Sequence, residues 1–180
     1  MADVPILKTE RLVLRAYRRE DFGAMAAMWS DPEMVRFIGT GQPLGEDVVW
    51  GRLQKSAGAW PILGYGFWVI EHAATGRMIG EAGFLERLAP GKGASTPEAG
   101  WALETSMRGQ GYASEAVAAV LAWGDQRFQR TICVISAENT RSVALARRLG
   151  YRDAGVEPPP ADWTGPEFLR FEREGPARLG

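Results

Sequence analysis

Apolar residues recur along this chain at two spacings, and the spacing predicts which segments are strands and which are helices. Residues 11–17 alternate apolar and polar positions, which is typical of a half-buried strand. Residues 22–29 and 46–55 instead place apolar side chains three or four positions apart, as amphipathic helices do. Asp31-Pro32 is predicted to end the first helix, and Trp60-Pro61 together with the glycines at 64 and 66 breaks the pattern after the second. The wide loop between the two helices is a candidate substrate wall.

A hairpin and a final helix are predicted further along the chain. Residues 67–71 and 78–85 flank a glycine-containing turn, which is the pattern of a β-hairpin. Asn139 is a preferred helix N-cap, and apolar side chains then repeat at helical spacing until Gly150. After this helix the chain turns into the closing strands, and residues 168–171 predict the last strand of the sheet.

The most informative segment is the glycine turn at residues 108–113, Arg-Gly-Gln-Gly-Tyr-Ala. It follows an exposed loop predicted at 89–97 and a strand at 98–103, and it opens a helix that leads to a buried strand at 131–135. A strand, a helix and a strand in this order predict a right-handed parallel crossover. Glycines let the backbone approach a ligand closely, and the first helical turn presents unpaired N–H groups. The segment suits a phosphate or pyrophosphate, although such glycines also serve as plain tight turns.

Composition narrows the class of protein. With 180 residues and 46% hydrophobic content, the chain can bury one substantial core, and we expect a single domain over residues 1–180. A formal net charge of −1 lacks the basic surplus of a nucleic-acid-binding protein. The sequence shows neither a long apolar run nor a signal-peptide pattern, so we expect no membrane partner and a cytoplasmic location.

Single residues argue against several catalytic classes. The one histidine, His72, falls at a predicted hairpin tip and is interpreted as a surface residue. The one cysteine, Cys133, falls in an apolar run and is interpreted as a small buried residue, so no metal is expected. The chain also lacks the Gly-x-Ser-x-Gly turn of hydrolases and the Gly-Lys-Ser/Thr of nucleoside-triphosphate loops.

Three sequence features together resemble the GNAT superfamily of acyl-CoA-dependent N-acetyltransferases. They are Arg108-x-x-Gly111-x-Ala113, the apolar strand after its helix, and Asn139-x-x-Ser142 closing at Leu149-Gly150-Tyr151. Residues 9–15, 31–33 and 109–116 more narrowly resemble the ribosomal-protein (RimJ/RimL-type) branch. The resemblance implies an α/β (α+β) fold: a mixed, twisted sheet of about seven strands with helices on both faces. It also implies an acyl-CoA cleft between splayed parallel strands four and five, and homodimers are a habit of the family.

The resemblance also assigns residues to acetyl-CoA, the implied cosubstrate. Backbone amides of the glycine turn wrap the pyrophosphate, strand backbone binds the pantetheine arm, and the last helix reaches the arm and the sulfur. The residues assigned in this way are Trp101, Ala102, Leu103, Arg108, Gly109, Gln110, Gly111, Tyr112, Ala113, Ser114, Asn139 and Ser142. Asn139 has an alternative interpretation as a plain helix cap, and Ser142 as a buried hydroxyl.

The expected proton donor is missing from its usual place. Many family members carry a tyrosine seven residues after Asn139, where it protonates the leaving thiolate, and this chain has Ala146 there. Ser142 or a bound water remains as the donor, and the role is not transferred to Tyr151. Two hypotheses stay open: an N-acetyltransferase acting by direct attack in a ternary complex, and a non-catalytic acyl-CoA sensor.

The proton acceptor and the amine substrate are also open. Glu98 is the candidate base that relays the ammonium proton through water, and Glu81 is the alternative. The acceptor is a peptide N-terminus or a small-molecule amine. Six aromatic residues either line its pocket or, for most of them, fill the core: Trp29, Phe37, Trp50, Trp60, Tyr65 and Trp68.

Overall fold

The computed structural model describes residues 4–86, 96–158 and 165–176. Its strands are β1 (Leu7–Lys8), β2 (Leu12–Arg15), β3 (Phe67–His72), β4 (Arg77–Leu85), β5 (Glu98–Leu103), β6 (Arg130–Ser136), β7 (Arg152–Glu157) and β8 (Phe168–Glu174). Its α-helices are α1 (Phe22–Trp29), α2 (Pro32–Val35), α3 (Glu46–Leu63), α4 (Tyr112–Gly124) and α5 (Thr140–Arg148). Within these ranges, no helix is long and apolar enough to cross a membrane.

The described strands form one mixed sheet with the order β1-β2-β3-β4-β5-β6-β8-β7. Neighbouring strands are antiparallel everywhere except at β5 and β6, which run parallel. The register of β5 and β6 contains one pair, Glu98 with Ile132. Because both residues lie near the starts of their strands, the two strands separate toward their carboxyl ends. The centre of the sheet is therefore split where β5 leads into the glycine turn.

Apolar side chains on the two faces of the sheet form two separate clusters. One cluster joins α1, α2 and the middle of α3 to Val69 and Ala102. The other joins α4 and α5 to Ile70, and it includes Trp60 from the end of α3. Val69 and Ile70 are neighbours on β3 and belong to different clusters, as expected where successive side chains point to opposite faces. The predicted α/β fold with helices on both faces is confirmed.

The helix α3 is longer than the sequence pattern indicated. It continues past residue 55 to Leu63 and contains Pro61; of the predicted breakers, Trp60-Pro61 does not end the helix and Gly64 does. A proline inside a helix removes one N–H donor and crowds the carbonyl four residues earlier, so this turn forms at a cost. Trp60 is 3% exposed, and its indole Nε1 donates to the backbone oxygen of Phe67 at 3.0 Å. Burial of this indole extends the helix until Gly64 closes it at φ 74°.

The two ends of the sheet also differ from the prediction. The first strand covers Leu12–Arg15 and pairs with an additional short strand, Leu7–Lys8, which brings the described sheet to eight strands. The strands predicted as four and five are therefore β5 and β6. The last strand extends beyond residue 171 to Glu174, and most of the loop predicted at 89–97 lies outside the described residues.

Asp31-Pro32 begins a helix as well as following one. Asp31 is the N-cap of α2, and its Oδ1 accepts a hydrogen bond from the backbone N–H of Glu33 at 2.9 Å. Pro32 occupies the first helical position, where its missing N–H costs nothing. The sequence analysis predicted the end of α1 and missed this short helix.

Candidate functional site

The glycine turn is held in a conformation that suits glycine. Gly109 has φ 77° and Gly111 has φ 86°, both in the left-handed region, and Gly111 is the N-cap of α4. The first hydrogen bond of the helix runs from the Glu115 N–H to Gly111 O, at 3.1 Å. The backbone N–H groups of Tyr112, Ala113 and Ser114 have no such partner among the described residues. They lie at the start of the helix that the sequence predicted, and a helix start of this kind favours an anion.

Arg11 and Glu115 brace this turn from the side. Arg11 donates through Nη1 to Gln110 O at 3.0 Å and through Nε to Glu115 Oε2 at 2.8 Å. The same carboxylate accepts the hydroxyl of Thr9 at 2.6 Å. Burial acts to raise the pKa of Glu115, but the hydrogen bonds from Thr9 and Arg11 outweigh it and hold that pKa below its ordinary value. The N-terminal segment thus holds the turn in place.

The Arg108 side chain is committed to backbone oxygens. Its guanidinium donates to Leu103 O at 3.4 Å, Glu33 O at 3.1 Å and Met34 O at 3.3 Å. Desolvation lowers the pKa of this guanidinium from its ordinary value. These bonds tie the end of β5 and the helix α2 to the start of the turn. The Arg108 side chain therefore has a structural role, which is separate from any contact that the Arg108 backbone makes with a ligand.

A cavity of about 440 Å³ lies where β5 and β6 separate. It contains five of the residues predicted from sequence: Glu98, Trp101, Ala102, Asn139 and Ser142. The other predicted residues, Leu103 and those from Arg108 to Ser114, do not line it. The cavity is thus lined by β5, and the glycine turn follows the carboxyl end of the same strand. Phe37 to Thr40, from the loop between α2 and α3, form part of the wall.

Asn139 and Ser142 lie at the start of α5, at the edge of the cavity. Asn139 Oδ1 accepts a hydrogen bond from the Ser142 N–H at 3.2 Å, so Asn139 is a helix cap. This leaves its amide nitrogen for a ligand. Among the described residues, nothing hydrogen-bonds the hydroxyl of Ser142, which is half-buried in the cavity wall. The hydroxyl can therefore serve a bound molecule.

Ala146 and Tyr151, the two positions considered for a tyrosine proton donor, do not line the cavity. Ala146, at the family tyrosine position, is fully buried in the apolar cluster under α5. Tyr151 is 2% exposed, and its hydroxyl pairs with Thr131 at 2.8 Å. Burial raises the pKa of Tyr151 far above its ordinary value. Neither position supplies an acid to the cavity.

The two candidate carboxylates occupy the same face of the sheet. Glu81 is directly opposite Ala102 in the register of β4 and β5, and Glu98 lies four residues before Ala102. Side chains an even number apart share a face, and four steps span roughly 13 Å. Gly83 and Gly100 pair between them, and a Cβ on Gly100 would approach the Phe67 ring to 2.8 Å. These glycines leave room for Phe67, which forms the cavity floor.

Glu81 is already engaged by two partners. It is fully buried, and its oxygens accept the Arg52 guanidinium at 2.5 Å and the Tyr17 hydroxyl at 2.9 Å. Burial, followed by the charge of Glu81, raises the pKa of Tyr17 well above its ordinary value. The Arg52 guanidinium also stacks over the Trp29 ring at 3.9 Å. Glu81 is thus the centre of a polar cluster in the cavity wall.

Sequence reasoning missed several of these wall residues. Arg52 lies on α3 between the buried Val49 and Leu53, and nothing in the pattern distinguishes it from a solvated helix arginine. Ser136, at the end of β6, is 2% exposed in the cavity wall, and its hydroxyl has no hydrogen-bond partner in the part of the chain that the structure describes. His72, predicted as a surface residue, is half-buried beside the Tyr112 hydroxyl at 3.2 Å and lies outside the cavity.

The predicted cysteine and most of the aromatic candidates are divided between the core and the cavity wall. Cys133 is 1% exposed, and burial raises the pKa of its thiol far above the ordinary value, as expected of a structural cysteine. Of the aromatic candidates, Trp29 and Phe37 line the cavity, whereas Trp60 and Trp68 pack in the core with ring centroids 4.6 Å apart. No group of three potential metal ligands occurs within the described ranges.

Comparisons with known proteins agree with this geometry. The chain matches the family described as Acetyltransferase (GNAT) domain over residues 11–152. It is 27% identical to the uncharacterized N-acetyltransferase YoaA of Bacillus subtilis (strain 168), across 84% of this chain and 85% of that one. Its structure matches that of a Bordetella pertussis protein attributed to the GnaT acetyltransferase family, with a TM-score of 0.78, 34% identity, and 94% and 99% of the two chains covered.

A RimL ribosomal L7/L12 acetyltransferase, solved with coenzyme A, shares the fold at a TM-score of 0.78 and 19% identity, over 94% of this chain and 98% of that one. The chain belongs to the GNAT acetyltransferase family, and it is an acetyltransferase. Members of this family use acetyl-CoA.

Proposed function

We propose that this chain transfers the acetyl group of acetyl-CoA to a primary amine bound in the cavity between β5 and β6. The observation that carries the proposal is the split between these strands, which pair only at Glu98 and Ile132. The split opens a cavity that is lined by β5 from Glu98 to Ala102, and the glycine turn follows the carboxyl end of the same strand. An acyl carrier whose phosphates rest on the turn could thus direct its thioester into the cavity.

The residues at the turn fit the pyrophosphate of acetyl-CoA. Tyr112, Ala113 and Ser114 present N–H groups without backbone partners among the described residues, and there is open space around Gly109. A helix N-terminus favours negative charge through its dipole. Arg108, Gly109, Gln110 and Gly111 would complete the cradle with their backbone. Trp101, Ala102 and Leu103 would bind the pantetheine arm along the open edge of β5, and the Asn139 amide would hold its far end.

The reaction in this arrangement is a direct acyl transfer. The neutral amine nitrogen attacks the thioester carbonyl carbon, a C–N bond forms, and the C–S bond breaks. The amine loses one proton to a base, and the leaving sulfur gains one to become the CoA thiol. Ser142 is proposed as the proton donor to sulfur, directly or through a water. Ala146 and Tyr151 are both placed where they cannot perform this step.

Glu98 is proposed as the base, with Glu81 as the alternative. Both line the cavity, but both oxygens of Glu81 are engaged by Arg52 and Tyr17. Glu98 lies at the junction where β5 and β6 part, so a water chain from it can reach an amine in the split. A Glu98→Gln variant is expected to lose activity most at low pH, where less amine is already neutral.

The competing hypothesis is an acyl-CoA sensor that binds without turnover. The test is incubation of the native chain with acetyl-CoA and a panel of primary amines, with free CoA thiol and acetylated amine both measured. Matched release of thiol and acetylated amine supports the enzyme. Binding of acetyl-CoA without any acetylated amine would support the sensor instead. The peptide or small-molecule nature of the acceptor is the next question.

A further inference from the structure

We propose that Arg52 forms a subsite for a neutral carbonyl oxygen of the acceptor, next to the amine that is acetylated. This inference rests on acetyl transfer taking place in the cavity, and it adds the chemical class of the acceptor. That class is an α-amino compound with an amide carbonyl, such as an amino-acid amide or the start of a peptide. Free amino acids and alkyl polyamines fall outside it.

The Arg52 guanidinium is fixed in place and retains unused donors. It is held by the Trp29 ring at 3.9 Å and by Glu81 at 2.5 Å, on the rigid helix α3. A guanidinium has five N–H donors, and only the bond from Nη2 to Glu81 uses one within the described residues. The side chain is 35% exposed and lines the cavity. It is thus a prepositioned donor group in the wall.

Buried donors outnumber acceptors in this part of the wall. Arg52 Nε and Trp29 Nε1 are both buried without a hydrogen-bond partner among the described residues. Glu81 is the local acceptor, and it already receives Arg52 and the Tyr17 hydroxyl. Buried polar groups in native proteins are normally paired, so a donor-rich patch beside a cavity suits a ligand that brings an oxygen acceptor.

The charge of the cavity indicates which oxygen fits. Its described charged residues are Arg52, Glu81, Glu98 and Glu157, and Arg170 pairs with Glu157 at 3.1 Å, which gives three carboxylates, two guanidinium groups and a formal sum of −1. A free carboxylate on the acceptor would add to this negative charge, whereas a carbonyl oxygen accepts a hydrogen bond without doing so. The same carboxylates attract the ammonium form of the amine. The combination selects an amine beside a neutral carbonyl.

The test compares three small acceptors of similar shape. They are alaninamide, its alkyl isostere 3-methylbutan-2-amine, and alanine, each assayed with acetyl-CoA by CoA release and corrected for the neutral fraction of the amine. For the native chain we expect kcat/KM for alaninamide to exceed that of the other two by about tenfold or more, the usual worth of a hydrogen bond to a charged group. Arg52→Lys keeps the charge beside Glu81 but loses the planar donor fork, so this preference should fall at least about fivefold.

Arg127→Lys is the matched control. Arg127 also stacks on a tryptophan, Trp123, at 4.0 Å, and it does not line the cavity, so its variant should retain the native preference. The preference is a ratio measured on one protein sample, and partial unfolding does not change it. Equal use of alaninamide and either competitor by the native chain would overturn the subsite, as would an equal loss on all acceptors in Arg52→Lys. No turnover of any amine would reject acetyl transfer itself, and the subsite with it.

Discussion

The glycine turn and the cavity, which the proposed function joins in one site, are built in opposite ways. The turn is a contiguous run whose working groups are backbone amides, and its shape depends on two glycines with positive φ. The cavity is walled by side chains from segments as far apart in sequence as Trp29 and Phe168. A common feature such as pyrophosphate can be bound by backbone alone, whereas recognition of a particular acceptor needs side chains. We therefore expect cofactor binding to depend on the backbone of the turn and acceptor specificity to depend on the side chains of the cavity.

The largest effect should come from the cavity side, at Ser142. If Ser142 delivers the proton to the leaving sulfur, Ser142→Ala should lower kcat by about 10²-fold or more, as loss of a general acid does. Acetyl-CoA binding should change little, because the turn is intact. Steady-state kinetics measure kcat, and calorimetry measures acetyl-CoA binding. Ser30→Ala, which removes an exposed hydroxyl at the end of α1, is the control and should retain native kcat. A Ser142→Ala enzyme with native kcat would assign the step to water.

The next effect concerns the stability of the cavity wall. Glu81→Leu removes the fully buried partner of Arg52 and should lower the free energy of unfolding by about 2–3 kcal/mol, since the guanidinium is left unpaired. Urea denaturation measures this change. Asp153→Asn is the control, because the Arg147–Asp153 pair is more than half exposed and should contribute less than about 1 kcal/mol. Equal effects of the two substitutions would contradict a structural role for the buried pair.

A smaller effect is expected where Arg108 anchors the turn. Arg108→Met leaves three backbone oxygens without their donor and should cost about 1–2 kcal/mol of unfolding free energy. Thermal denaturation of Arg108→Met beside Arg152→Met checks this, because Arg152 is exposed on the edge strand β7. Indistinguishable melting temperatures would mean that the three bonds contribute nothing.

The smallest effect is a pH dependence at the brace of the turn. The folded pKa of Glu115 lies below its ordinary 4.5, so its contribution to stability is present above about pH 4.5 and disappears as the pH falls through the folded value. Denaturation between pH 3 and 6 should therefore show a loss of stability toward acid that Glu115→Gln reduces. Glu20→Gln, on an exposed residue, should leave that pH dependence as it is. A native slope in Glu115→Gln would show that other carboxylates produce it.

The same contrast explains how much could be predicted from the sequence. The turn, β5 and the Asn139 cap are local patterns, so their positions could be predicted before any fold was known. Glu81 and Glu98 could be identified as candidate bases, but their positions relative to each other could not be predicted. That they share a face depends on the register of β4 and β5.

Arg52 could not be found at all from the sequence. Its partners are 29 residues away on β4 and at the end of α1, and helical spacing alone describes it as a solvated position. The effect of Pro61 on α3 was mispredicted for a related reason. The sequence marks proline as a helix breaker but does not show that Trp60 beside it is buried. Local chemistry is visible in a sequence, whereas contacts between distant segments depend on tertiary packing.

The most direct test of the account is calorimetric binding of acetyl-CoA to the native chain, to Gly111→Trp and to Gly155→Trp. A Cβ on Gly111 (φ 86°) would lie 3.3 Å from Arg11 Nη2, whereas one on Gly155 (φ 102°) in the exposed strand β7 would meet open space. Both substitutions place a side chain at a positive φ, but only the one at Gly111 puts it in the turn. We predict that the native chain and Gly155→Trp bind, and that Gly111→Trp loses at least about 100-fold in affinity, the scale of several lost charge-assisted hydrogen bonds. Equal binding by all three proteins, or no binding by the native chain, would contradict the assignment of the turn to acetyl-CoA.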